Sequence, residues 1–166
     1  MKLDEFWALI EQHIEREGDE LHVEALESAL AQLPLAEIVD FDKIFQQLHV
    51  ESYSWRLWGA AYLINDGCSE DEFDEFRAWL IGAGRQVFER ALKDPDSLAS
   101  VGVETGELLS EDLLFVASEA YAGASDGEEL PQLELSYPEV EGSWEFDDEK
   151  EMRRRYPKLA AKYLSD

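Results

Sequence analysis

The run Asn65-Asp66-Gly67-Cys68-Ser69 is where residue types and spacing in this sequence offer chemistry. A thiol at the N-terminus of a helix lies near free backbone amides, which lower its pKa and can hold an anion. Ser69 and Glu72 have the spacing of a capping box, so a helix begins there with Cys68 at its mouth. Tyr62, Asp66, Cys68, Arg77 and Arg85 are therefore the candidate ligand-binding residues of a small polar pocket. The same residues have a simpler structural account. Gly67 ends one helix, Ser69 caps the next, and Cys68 is a small buried residue between them. No residue is singled out as catalytic, and no carboxylate pair stands out for acid–base work among 39 acidic side chains.

Metal chemistry has less to build on. His13, His22 and His49 are expected on three different helices, and none belongs to a Glu-x-x-His or His-x-x-x-His pair. His13 is expected at the core edge, with His22 and His49 facing water. The single Cys68 lacks the second thiol of a zinc or redox motif, so neither metal nor cofactor is expected. Gly82-x-Gly84 does not follow a strand and is a poor phosphate loop. Trp55, Trp58, Tyr62, Phe73, Phe76 and Trp79 recur at helical spacing and read as core before they read as a ligand cavity. Arg56, Arg77, Arg85 and Arg90 are surrounded by carboxylates, so ion pairing is their default role and an anion-binding cluster the alternative.

The elements that must position these residues follow from periodicity. Phe6, Leu9, Ile10, His13 and Ile14 predict a helix closed by Gly18. Val23, Leu26, Leu30 and Leu33 predict a second, ended by Pro34, which suits the first turn of a third burying Ile38, Phe41, Phe45 and Leu48. Trp55, Trp58, Tyr62 and Asn65 line one side of a fourth, and Phe73, Phe76, Arg77 and Leu80 share a face of the fifth. Gly82-Ala83-Gly84 interrupts it before Val87, Phe88, Ala91 and Leu92 resume, and Asp94-Pro95-Asp96 stops that helix. Ser110-Glu111-Asp112 starts another over about 110–122, burying Leu113, Leu114, Ala117 and Tyr121. Residues 123–143, rich in glycine, proline and acids, predict coil. A last helical segment over about 145–163 has acids first and arginines last, with Pro157 starting or kinking its final turn. Apart from Leu133-Glu134-Leu135 no alternating run suggests a strand, so the expectation is an all-α class. One multi-helix domain spans 1–166, with an ordered core over about 1–122.

Charge narrows the partners. The 166 residues carry 39 acids against 14 bases, a net charge of −25. By segment the net values are −9 for residues 1–50, −5 for 51–100, −14 for 101–150 and +3 for the remainder. Such a chain is repelled by polyanions, which excludes direct nucleic-acid binding and disfavours anionic membranes. No apolar run reaches the roughly 18 residues of a spanning helix, and the start resembles no secretory signal. A reducing, cytoplasmic setting is the expectation.

Several blocks in order carry a resemblance. Asp4-Glu5-Phe6-Trp7-Ala8-Leu9-Ile10, Trp58-Gly59-Ala60-Ala61-Tyr62-Leu63-Ile64-Asn65-Asp66-Gly67-Cys68-Ser69, Phe76-Arg77-Ala78-Trp79-Leu80-Ile81 and Asp94-Pro95-Asp96-Ser97-Leu98 are similar to a bacterial family called domain of unknown function 4240, over about residues 1–125. The resemblance implies no activity and no site residue. Two classes of function follow from the residues. The first is a non-catalytic acidic interaction protein, an accessory, inhibitor or immunity-like factor that binds a basic protein partner. The second is a small-ligand binder or enzyme using the Asn65–Ser69 turn.

Overall fold

A computed structural model of the chain describes residues 1–101, 108–140 and 142–164. Among them are nine α-helices: α1 Leu3–His13, α2 Glu24–Ala31, α3 Leu35–Glu51, α4 Trp55–Ile64, α5 Glu70–Gly82, α6 Arg85–Lys93, α7 Glu111–Ala124, α8 Glu149–Arg155 and α9 Pro157–Tyr163. A 3-10 helix, Pro95–Ser100, follows α6. The fold is mostly α-helical, as the periodicity predicts.

The centre is α5. From Phe76 to Gly82 every residue is buried, so the second half of this helix has no solvent stripe and is surrounded by its neighbours. Helix α7 packs most extensively on α2, then on α3 and α5. Its buried residues are Leu113, Val116, Ala117 and Ala120; Leu114 and Tyr121, expected inside, are only half-buried because the stripe is rotated toward α2. On α3 the expected face, Ile38, Phe41, Phe45 and Leu48, is buried.

Residues 128–140 form no helix or strand, Leu133-Glu134-Leu135 included. Glu104, Glu107 and Glu141 of the acidic stretch lie outside the described residues. Beyond the coil, α8 packs on α9, and α9 on α4 and the 3-10 helix, with Met152, Tyr156, Leu159 and Ala160 buried. Asp96 caps α9, its carboxylate accepting from the Lys158 and Leu159 N–H groups at 3.1 and 2.9 Å. Gly59 of α4 meets the Tyr156 ring so closely that any Cβ would collide with it, and the Tyr156 hydroxyl donates to the Arg56 carbonyl at 2.7 Å.

Three further expectations need correction. Helix α1 stops at His13, and residues 15–22 form an antiparallel hairpin with Arg16 opposite Leu21, so His22 lies on a strand. The hairpin is held from afar: Trp79 donates its indole N–H to the Asp19 carbonyl at 2.7 Å, and Arg16 lies 5.1 Å from the Trp79 ring centre. His49 does not face water. It is 4% exposed and donates from Nε2 to the Asp74 carbonyl at 2.9 Å. On α4 the buried face is Leu57, Ala60, Ala61, Leu63 and Ile64; Trp55, Trp58 and Tyr62 sit half-buried beside it. Segment 144–146 reaches that side, where Phe146 stacks on Trp55 with ring centres 4.2 Å apart.

Candidate functional site

The turn between α4 and α5 forms as its residue types dictate. Asp66 and Gly67 take the left-handed backbone at φ +54° and +106°, and the Gly67 N–H closes the helix end on the Tyr62 carbonyl at 2.8 Å. Ser69 Oγ then accepts from Glu72 N–H, and Glu72 accepts from Ser69 N–H, each at 3.2 Å. The capping box thus opens α5 where the spacing predicts.

What the turn holds is a closed set of internal contacts. The Trp58 indole donates to the Cys68 carbonyl at 2.8 Å. Burial, reinforced by the Glu72 carboxylate, pushes the Cys68 thiol up to about 12 against a weaker opposing pull from Arg77. A thiol so placed stays protonated at neutral pH and is not an activated nucleophile. Tyr62 leans on Phe146, ring centres 5.5 Å apart. Asp66 is exposed.

Arg77 is fully buried behind the turn. Its guanidinium lies 4.8 Å from the ring centres of both Tyr53 and Phe73. It donates to the Phe73 carbonyl at 3.3 Å, to the His49 carbonyl and to the Asp74 carboxylate. Burial lowers its pKa, which Asp74 partly restores. Arg85 stands elsewhere, at the start of α6, donating to Asp4 of α1 at 2.7 Å and to Glu89 at 2.9 Å. Cys68 and Arg77 are thus within electrostatic reach of each other, with Tyr62 and Asp66 on α4 and its closing turn, whereas the partners of Arg85 belong to α1 and α6. None of the five lines the cavities around α7 described next.

Helix α7 is flanked by two acid-lined grooves. Toward α2, a cavity of about 230 Å³ is lined by Glu24, Glu27, Asp112 and Glu119 around Phe115, which is 51% exposed. Toward α3, a cavity of about 580 Å³ is bounded by Asp42, Gln46, Leu114 and Ser118 on the helices and by Glu128 to Leu133 of the coil. Among the described residues, no Lys or Arg lines either one. Sequence reasoning missed both central residues, although each breaks a pattern. Asp42 falls four residues after Ile38 and three before Phe45, on an apolar face, and Phe115 falls off the stripe of Leu113, Val116, Ala117 and Ala120.

Among the described residues, no group of three or more His, Cys, Asp or Glu side chains is placed to hold a metal ion. No helix among them is long and apolar enough to cross a membrane. Fold and charge together define a mostly α-helical, strongly acidic protein whose basic and sulfur-bearing candidates at the turn are occupied internally. The chain belongs to the family described as a protein of unknown function (DUF4240), whose model matches residues 1–123 of its 166. No curated protein and no solved structure matches it.

Proposed function

We propose that this chain is a non-catalytic docking protein whose carboxylate-rich face, centred on α7, receives a basic protein partner. The observation that carries the reading is Phe115, a half-exposed aromatic ringed by Glu24, Glu27, Asp112 and Glu119 with no cation among them. A large apolar side chain left in water costs free energy, and aromatic anchors inside a charged rim are the usual anatomy of a protein interface. The surrounding negative charge steers a cationic partner toward it and repels nucleic acid. Support over a small-ligand or enzymatic pocket at the Asn65–Ser69 turn comes from Arg77 and Cys68, the first spent on the chain's own acceptors and the second protonated.

Affinity capture from lysate of the native host, at low salt and again at about 0.5 M, tests this, since exposed charges separated by more than a few ångströms are screened at the higher concentration. A specific basic protein retained at low salt and released at high salt is the expected result. No retained protein, or retention indifferent to salt, overturns it. Native mass spectrometry of the purified chain tests the other reading, which a bound small molecule displaced by substitution of Asp66 would restore.

A further inference from the structure

The α3 side of α7 holds a carboxylate that lines a cavity and has a single donor within the fold. Asp42 is 8% exposed. Gln46 Nε2 donates to its Oδ1 at 3.3 Å, and among the described residues no donor reaches Oδ2. Burial accordingly raises its pKa, with Gln46 the only opposing influence. The oxygen without a donor is not sealed from solvent, so it is open to a cation arriving from outside. Here it borders the cavity of about 580 Å³, whose far wall is the coil. That coil is fastened to the end of α7: Gly127 N–H donates to the Ala122 carbonyl at 2.8 Å, and Ser125 Oγ donates to the Tyr121 carbonyl at 2.6 Å and accepts from Glu128 N–H at 3.2 Å. Leu114, Leu130 and Leu133 supply apolar wall, and Glu128 and Glu129 add further carboxylates.

We propose that this cavity is the pocket for a lysine or arginine side chain of the protein partner, an assignment that rests on the docking reading above. The aliphatic stem would lie along the leucines, and the cationic head would pair with Asp42 Oδ2, with Glu128 and Glu129 behind it. Long basic side chains combine just these two requirements, an apolar stem and a charged tip. A guanidinium in addition donates in the planar fork that suits a carboxylate.

The probe is n-butylguanidinium chloride, an arginine side chain without its backbone, titrated into the full chain and followed by backbone amide chemical shifts, with sodium chloride of equal ionic strength as reference. Saturable shifts confined to residues 41–46, 114–122 and 127–133 are expected. In Asp42→Asn, which keeps shape and removes charge, affinity should fall about tenfold or more, a charge-assisted hydrogen bond's worth. Thermal melting confirms that this variant is folded, and Glu128→Gln with Glu129→Gln on the exposed coil should weaken binding a few-fold without touching the core. Shifts spread over the acidic surface, or unchanged binding by Asp42→Asn, overturn the pocket. A captured protein partner that binds Asp42→Asn at full strength overturns the pocket and leaves docking intact. Probe binding lost in Asp42→Asn upholds the pocket even where capture returns nothing, and then the docking reading alone fails.

Discussion

The block built by α4, α5 and segment 144–156 and the face built by α2, α3 and α7 use the same kinds of residue to opposite ends. In the first, Trp58 stacks on Phe73 at 4.8 Å, Arg77 lies against the rings of both Tyr53 and Phe73, and Trp55 donates to the Trp144 carbonyl at 3.1 Å. Most polar side chains there find partners within the chain, the Trp144 indole N–H and the Asn65 amide nitrogen being exceptions. On the second face an aromatic, Phe115, stands in water and a carboxylate, Asp42, is buried with one donor. Aromatic content therefore says little about function; what distinguishes the two regions is whether each side chain's requirements are met internally. A satisfied region stabilises the fold, and an unsatisfied one costs stability that a partner can return.

The comparison breaks most visibly at Arg77. Arg77→Ala would leave the buried His49 and Phe73 carbonyls without this donor and open a void beside two rings. A loss of about 3 kcal/mol or more is expected, read as a fall of roughly 6–12 °C in Tm. Arg77→Met fills the void but not the hydrogen bonds and should fall between. If Arg77→Ala melts like the wild type, the guanidinium is not part of a closed block, and a ligand-binding role for it returns.

His49 sharpens the same side through pH. Burial, with help from the neighbouring Arg77 charge, lowers its pKa to about 4. The unfolded side chain titrates near 6.5, so as pH falls from there toward 4 the unfolded chain takes up a proton that the folded chain refuses, and stability declines. Relative to His49→Gln the wild type should lose up to roughly 3 kcal/mol across that window. Asp42, whose pKa burial raises, works in the opposite direction, which is why the difference between the two proteins is the quantity to measure by denaturation at each pH. A constant difference would mean that His49 is hydrated.

Next comes the seam between α4 and the C-terminal helices. Gly59→Ala forces the Tyr156 ring to move and should cost about 1–3 kcal/mol. Tyr156→Phe removes the hydroxyl nearest that site together with its bond to the Arg56 carbonyl, at about 1 kcal/mol. The double variant should cost less than the two together, since the second change makes room for the first; simple additivity in chemical denaturation would show the contact to be loose.

How much of this was legible followed the range of the interactions. The capping box at Ser69 and Glu72, the Asp66–Gly67 turn, the α3 stripe and the break at Pro95 are local devices, written within a few residues of one another. The hairpin at 15–22 was not, because its strands carry no alternating apolar run and depend on Trp79, some 60 residues away. The surroundings of the candidate site were less legible for a related reason. Arg77 and Cys68 have reactive types at suggestive spacing, but whether a guanidinium is free depends on which carbonyls the fold aims at it, and those of His49 and Phe73 arrive through α3 and α5 together. Asp42 and Phe115 were visible as residues out of register, yet an exception to a stripe gains meaning only once its neighbours are placed.

The smallest expected effect on stability falls on the open face. Phe115 makes little use of the core, being half in water, so Phe115→Ser should change unfolding free energy by no more than about 0.5 kcal/mol in either direction. If the ring anchors a partner, the same substitution should weaken capture by roughly 2 kcal/mol, about thirtyfold, as truncation of an interfacial aromatic commonly does. Serine keeps the groove acidic, so the long-range attraction set by Glu24, Glu27, Asp112 and Glu119 persists and the association rate should hardly move. The loss should therefore appear in dissociation, measured by surface-immobilised kinetics with the captured protein. A variant that destabilises the chain while binding normally would reverse the contrast, making Phe115 a structural residue and the acidic rim alone the attraction.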